Sequence, residues 1–184
     1  MQIPNLNALA KEIHVDNLYA GWWDPYLPDK KSDRVPTDLM LTVTEFAEAC
    51  EGDRKSLNDD HLPHYPMMHV EIADAMIRLL DLAGAMGVDL SSLEDLSEDP
   101  TAQAEVEEWA DGSVPEQLLV CVAAVTQQDT SEHDLIGMGV GSCLMMAMIH
   151  KFDLFEIVAE KRAYNAQRAD HRRENRAKAG GKAY

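Results

Sequence analysis

The stretch "HVEIADAMIRLLDLAG", residues 69 to 84, decides the fold because it carries the clearest helical pattern in the chain. Its apolar residues recur every three or four positions, which is the spacing of one face of an α-helix. The pattern predicts a helix over about residues 67 to 86, ended by Gly84 and Gly87, with a buried face of Ile72, Met76, Leu79, Leu80 and Ala83. The opposite stripe is polar and consists of Glu71, Asp74, Arg78 and Asp81.

An earlier stretch, "LTVTEFAEACEGDR", residues 41 to 54, indicates a second amphipathic helix that begins near Pro36 and Thr37. Six apolar residues follow the 3.6-residue period and predict its core face: Leu39, Met40, Val43, Phe46, Ala47 and Cys50. Glu45 and Glu48 fall outside this set. We therefore expect both carboxylates to point away from the core.

The rest of the chain also favours helices, because runs of alternating β-branched or aromatic residues are scarce. Further helices are predicted over about residues 5–20, 102–109, 115–127, 132–150 and 153–168. The third and fourth of these are apolar and separated by a short polar segment, so we expect an antiparallel hairpin. The sequence predicts an all-α single domain over residues 1–184, with an elaboration at 91–150 and a basic tail at 169–184.

Composition and charge argue against several classes of protein, among them nucleic-acid-binding, secreted and membrane proteins. The formal net charge of -17 opposes binding to a nucleic-acid polymer, whose phosphates require a positive surface. Three cysteines without a CxxC pair indicate reduced thiols in a cytosolic compartment. The N-terminus lacks the pattern of a signal peptide, and the best apolar run, residues 136–149, is short and glycine-rich. We therefore expect a soluble cytoplasmic protein without a membrane segment.

Two acidic pairs carry the main functional signal. Glu45 and Glu48 are three residues apart in one predicted helix, and Glu71 and Asp74 are three apart in the other. Because residues at this spacing share one side of a helix, each pair offers converging oxygens, which favour a hard divalent cation such as Mg²⁺ or Mn²⁺. A solvated acidic face explains the same spacing and stays open. A ferritin-like di-iron site is disfavoured because no histidine follows an acid by three residues.

These pairs, "EFAE" at 45–48 and "EIAD" at 71–74, resemble the ExxE…ExxD signature of the MazG-like all-α nucleoside triphosphate pyrophosphohydrolases, a superfamily that includes the dimeric dUTPases. "KEIH", "GWW" and "EKRAYNAQRADHRRENRAKAGGK" extend the resemblance to phage-type members. The similar blocks cover about residues 9–90 and 151–184. The family motif often has a second Glu before the first, where this chain has Thr44.

The resemblance implies a MazG-like helical bundle, extended by the hairpin, that binds Mg²⁺ or Mn²⁺ through Glu45, Glu48, Glu71 and Asp74. It implies hydrolysis of a (deoxy)nucleoside triphosphate to the monophosphate and pyrophosphate, and we expect Glu48 to act as general base. Phage relatives that adjust nucleotide pools for modified genomes make dGTP the first expected substrate and dATP the second. A homo-oligomer, dimer or tetramer, in the host cytoplasm is also implied.

The last predicted helix supplies residues for phosphate binding. Lys161, Asn165 and Arg168 continue one helical face from apolar to cationic residues, and they match a family block that contacts the triphosphate. A basic helix end favoured by the helix dipole is the alternative and stays open. Lys178, in the tail, and Trp22, as an aromatic wall for the base, complete the expected substrate-binding set. A solubilising tail and a tryptophan that caps the core are the alternatives.

Two other functions fit the same sequence. An acidic helical module that binds a partner without catalysis accounts for the charge. A dUTPase-like enzyme of the same superfamily accounts for the acidic motif. Turnover measured across nucleotides separates these alternatives from each other and from a dGTP pyrophosphohydrolase.

Overall fold

The computed structural model describes residues 1–27, 29–171 and 173–176, and within these residues the chain is an all-α bundle without a β-strand. This confirms the predicted fold class. The α-helices of the described residues are α1 Leu6–Tyr19, α2 Lys31–Lys55, α3 Met67–Met86, α4 Pro100–Ala110, α5 Val114–Thr126, α6 Glu132–His150, α7 Leu154–Asn165 and α8 Arg173–Arg176. Short 3-10 helices lie at Asp24–Tyr26, Ser91–Leu93 and Ala169–His171.

Helix α3 is the central element, since it packs against α1, α2, α6 and α7. All five residues predicted for its apolar face are buried. The prediction of a separate polar stripe needs correction, because Glu71 and Asp81 are buried as well. The stripe faces neighbouring helices and a polar cavity rather than open solvent. Gly87, at φ 70°, ends α3 in the left-handed conformation, whereas Gly84 lies inside the helix and does not end it.

Helix α2 begins at Lys31, several residues before the start predicted near Pro36. Pro36 cannot donate a backbone hydrogen bond one turn back, so a helix through this position needs other support. That support comes from Arg34, which is buried and donates to the Asp38 carboxylate at 2.6 Å and to the backbone carbonyl of Trp22. A buried ion pair therefore ties the first turns of α2 together across the proline.

The core face of α2 is also rotated relative to the prediction. Leu39 and Phe46 are buried as expected, but Met40 is 58% exposed and Ala47 is exposed. Glu45 is buried, so the expectation that it points away from the protein interior is wrong. The physical reason is that α2 packs against both α3 and α5, and its buried surface spans more than one apolar stripe.

Helices α5 and α6 pack against each other, at bounds close to those predicted for the hairpin. Each begins with a side-chain cap: Ser113 and Glu116 form a capping box on α5, and Ser131 accepts from the Asp134 backbone on α6. Gly139 allows close approach to its neighbours, because a Cβ there would lie 2.7 Å from Val125 Cγ1. One continuous apolar core includes residues of α1, α2, α3, α5, α6 and α7.

Among the residues that the structure describes, no single helix is long and apolar enough to cross a membrane. Helices α6 and α7 meet the length and composition criteria only as a pair, and they are bent by 115° at the break between them.

Candidate metal centre

One cavity of about 970 Å³ is lined by most of the residues singled out from the sequence. Its walls come from α1, α2, α3, α7, the connection between α2 and α3, and the segment after α7. Helix α3 contributes Glu71, Asp74, Arg78 and Asp81 to the lining, at intervals of about one turn. The polar stripe predicted for this helix is therefore the lining of a cavity.

Three of the four predicted metal ligands converge. Glu45, Glu71 and Asp74 each present one carboxylate oxygen such that all three oxygens lie within 4.8 Å of one another. Glu71 and Asp74 meet because they are three residues apart on α3, and Glu45 meets them because α2 packs alongside. These three residues, which we call the acidic cluster, can hold a metal ion.

Glu48 differs from the acidic cluster in position. It lines the same cavity, but its side chain is exposed and its carboxylate is not among the converging oxygens. The resemblance implied Glu48 as a metal ligand, and we also expected it to act as the general base. In the structure Glu48 lines the cavity without joining the acidic cluster.

Two basic side chains contact the acidic cluster directly. Arg78 donates to Glu45 Oε1 through its Nε and Nη2 atoms, each at 2.7 Å. Lys161 lies with its ammonium nitrogen 2.8 Å from Asp74 Oδ2 and 4.0 Å from Asp59 Oδ2. Lys161 is only 3% exposed. Although burial opposes its charge, the neighbouring carboxylates, chiefly Asp74, raise the pKa of Lys161, so it remains cationic.

The protonation of the acidic cluster reflects burial and crowding. Burial, together with the charges of Asp74 and Glu45, raises the pKa of Glu71 to about 9. Burial also raises the pKa of Asp74 to about 6, against the opposing effect of Lys161. Like charges held this close favour the proton on one of them, and a divalent cation at the same position would favour the ionised form instead. The three carboxylates, once ionised, can therefore hold a metal ion.

Helix α7 brings the predicted phosphate-binding residues to the same cavity. Lys161, Asn165 and Arg168 all contribute to its lining. The Asn165 Oδ1 atom is buried and has no hydrogen-bond partner among the described residues, which leaves an oxygen acceptor for a ligand or a bound cation. The Arg168 guanidinium lies 6.0 Å from the Tyr164 ring centroid. Lys178 lies outside the described residues.

The two tryptophans of "GWW" have different surroundings. Trp22 lines the cavity and contacts the His171 ring edge-on, with 5.4 Å between centroids. Trp23 is fully buried, and its indole N–H donates to Asp81 at 3.0 Å. The alternative that these residues cap the core therefore holds for Trp23, while Trp22 is placed where a ligand can contact it.

Sequence reasoning missed Asp59. This residue lies in the connection between α2 and α3, is 5% exposed, and accepts backbone hydrogen bonds from His61 at 2.9 Å and Leu62 at 2.7 Å. An aspartate that closes a turn in this way is a common loop feature, so the sequence carries no sign of its approach to Lys161. It adds a buried carboxylate next to the acidic cluster.

Comparisons with family models, with curated proteins and with solved structures found no significant match to this chain. The MazG-like resemblance consequently remains a prediction from the quoted motifs. What is established is the geometry: an acidic cluster and a buried lysine in one cavity of an all-α bundle.

Proposed function

We propose that this protein is a metal-dependent nucleoside triphosphate pyrophosphohydrolase. The observation that carries the proposal is the convergence of Glu45, Glu71 and Asp74 within 4.8 Å, in a cavity also lined by Lys161 and Arg168. Carboxylates for a divalent cation beside basic groups for phosphate oxygens form the arrangement that polyphosphate hydrolysis requires. The ExxE…ExxD resemblance supports the same reaction class.

In this proposal Glu45, Glu71 and Asp74 hold Mg²⁺ or Mn²⁺. Such an ion, when bound, supplies positive charge to phosphate oxygens and lowers the pKa of coordinated water. The cavity is large enough for a nucleotide, since small-molecule sites commonly enclose about 300 to 1,000 Å³. In this proposal the indole of Trp22, at the cavity wall, stacks on the base.

The residues of this chain then have separate roles in the reaction. Arg168 and Lys161 bind triphosphate oxygens, and the Asn165 side-chain N–H donates a hydrogen bond to the same oxygens. A water oxygen attacks the α-phosphorus, the bond from this phosphorus to the bridging oxygen breaks, and pyrophosphate leaves. The Glu48 carboxylate accepts the proton of the attacking water. The products are a nucleoside monophosphate and pyrophosphate.

The test is a panel of ribo- and deoxynucleoside triphosphates incubated with the purified protein. We expect pyrophosphate release with Mg²⁺ or Mn²⁺ and none with EDTA, with dGTP the preferred substrate and dATP the second. Preference for dUTP would identify the dUTPase-like alternative. Absence of turnover with every nucleotide and both ions would contradict the proposal and favour the non-catalytic acidic module.

The Glu48→Gln variant tests the proposed division between ligands and base. We expect kcat to fall about 100-fold or more, which is the usual contribution of a positioned general base, while Mn²⁺ affinity stays close to that of the wild type. Steady-state kinetics and isothermal titration with Mn²⁺ measure the two quantities. Glu51→Gln is the matched control, because Glu51 is one turn further along α2 and pairs with Arg54 and Lys55.

Two outcomes of this comparison would contradict the assignment of Glu48 as general base. Equal losses of kcat and Mn²⁺ affinity in Glu48→Gln would make Glu48 a metal ligand rather than a base. A wild-type kcat in the same variant would remove Glu48 from the reaction altogether.

A further inference from the structure

The ammonium group of Lys161 contacts the acidic cluster directly. Its nitrogen is 2.8 Å from Asp74 Oδ2, and Asp74 is one of the three residues whose oxygens converge. The side chain crosses from α7 to α3 and is 3% exposed, so water does not screen the contact. A protein cation therefore already neutralises part of the charge at the proposed metal site.

Asp59, in the connection between α2 and α3, lies near the same ammonium group. Its Oδ1 atom accepts hydrogen bonds from the backbone N–H groups of His61 and Leu62, and its Oδ2 atom lies 4.0 Å from Lys161 Nζ. The connection that carries Asp59 is also attached to α7, because the Tyr65 hydroxyl donates to Glu160 at 2.9 Å. The position of the Asp59 carboxylate is thus fixed on two sides.

A buried carboxylate is costly unless a positive group accompanies it. Asp59 and Asp74 are both carboxylates near one point, and the positive group between them is Lys161. Carboxylates on neighbouring elements around one point are the usual setting for a second divalent ion in two-metal sites. Here a single positive charge, that of the Lys161 ammonium, lies near both carboxylates; it is covalently attached to the chain and cannot dissociate.

We propose that Lys161 is a built-in cation that takes the place of a second divalent ion between Asp59 and Asp74. The resting protein accordingly binds a single divalent ion, at the acidic cluster. This inference rests on the metal site of the proposed function, but it concerns binding without nucleotide and is independent of turnover.

The experiment counts Mn²⁺ ions bound to the full-length protein in the absence of nucleotide, by isothermal titration and by electron paramagnetic resonance of free Mn²⁺. We expect the wild type to bind a single ion. Lys161→Met removes the charge and keeps an unbranched side chain, so it should bind a second ion and show a larger rise of Tm with Mn²⁺. The double variant Lys161→Met/Asp59→Asn should return to a single ion.

Arg162→Met is the matched control, because Arg162 is the next residue on α7 and pairs with Glu12 and Asp16 rather than with the acidic cluster. It should keep the wild-type count. Asp59→Asn alone provides a test that does not depend on the folding of Lys161→Met. We expect this variant to keep the single ion, with a dissociation constant close to that of the wild type, because Asp59 pairs with Lys161 and does not bind the ion.

Three results would overturn the inference: two ions of similar affinity in the wild type, a single ion in folded Lys161→Met, or a loss of about 10-fold or more in Mn²⁺ affinity in Asp59→Asn. Failure of the proposed function gives a different pattern. In that case the nucleotide panel shows no turnover, while the ion counts of the wild type and the variants remain as stated.

Discussion

Replacing Glu71 with glutamine is expected to abolish metal-dependent pyrophosphate release and to weaken Mn²⁺ binding by at least about 100-fold. Outer groups around metal ligands commonly contribute 10 to 100-fold to affinity, and Glu71 is one of the three residues whose oxygens converge and could hold the ion itself. An amide keeps the shape of the side chain but removes the negative charge that a hard cation needs. Mn²⁺ titration and kinetics on the preferred nucleotide measure both effects, with Glu51→Gln as the control.

In the metal-free protein, Glu71→Gln should retain more stability than the wild type as the pH rises. The pKa of Glu71 is raised from its ordinary value of 4.5 to about 9, so the folded state keeps a proton that the unfolded state loses. The stability contributed by this proton is complete below pH 4.5 and is lost as the pH rises to about 9. The loss amounts to at most about 1.4 kcal/mol for each pH unit.

Thermal unfolding in EDTA between pH 5 and pH 9 tests whether stability falls as the pH rises. The wild type should lose Tm as the pH rises, and Glu71→Gln should lose less, because its amide does not titrate. Added Mn²⁺ should protect the wild type more at high pH, since the ion requires ionised carboxylates. A wild type whose Tm increases over this range, or a Glu71→Gln variant that binds Mn²⁺ normally, would contradict the assignment of Glu71 to the cluster.

The helices could be predicted from the sequence where one apolar period dominates. Helix α3 begins and ends close to its predicted limits because Ile72, Met76 and Leu79 follow a single period and Gly87 stops it. Helix α2 was misplaced because Pro36 and the polar residues before it are typical of a loop. What extends α2 is the buried pair of Arg34 and Asp38, and a sequence does not show which charged residues a fold buries.

The site was predictable within one helix and only partly between helices. The spacing of Glu71 and Asp74 fixes their common side, whatever α3 packs against. Whether Glu45 or Glu48 joins them depends on the rotation of α2 about its axis. The apolar residues of α2 pack against both α3 and α5, so the sequence pattern did not define this rotation. Asp59 was not predictable, because its approach to Lys161 depends on a loop that meets α7 far away in the sequence.

Gly84→Ala is expected to have the largest effect on stability of any small substitution in α3. A Cβ at this position would lie 2.4 Å from the backbone oxygen of Ala10 and 2.8 Å from His14 Cβ. A backbone atom cannot move aside as a flexible side chain can, so α1 must shift away from α3. We expect a loss of about 3 kcal/mol in the free energy of unfolding, which is at the upper end for overpacking by one methyl group.

The shift of α1 would also disturb the hydrogen bonds of Asp81, which lines the cavity. Asp81 accepts hydrogen bonds from His14 at 2.8 Å and Asn17 at 2.7 Å, and both donors belong to α1. Moving α1 stretches these bonds, while the acidic cluster, held by α2 and α3, stays in place. We therefore expect Gly84→Ala to keep most of its Mn²⁺ affinity and to lose stability.

Urea unfolding of Gly84→Ala and Gly137→Ala gives the matched comparison. Gly137 also lies inside a helix, α6, but a Cβ there would meet nothing within 4 Å. Since alanine favours a helix over glycine by about 0.5 to 1 kcal/mol, Gly137→Ala should be stabilised by that amount. Equal effects of the two substitutions would mean that helix propensity alone governs both positions, and that α1 does not rest on the backbone of α3 at Gly84. Opposite signs would show that the contact between these two helices sets the stability.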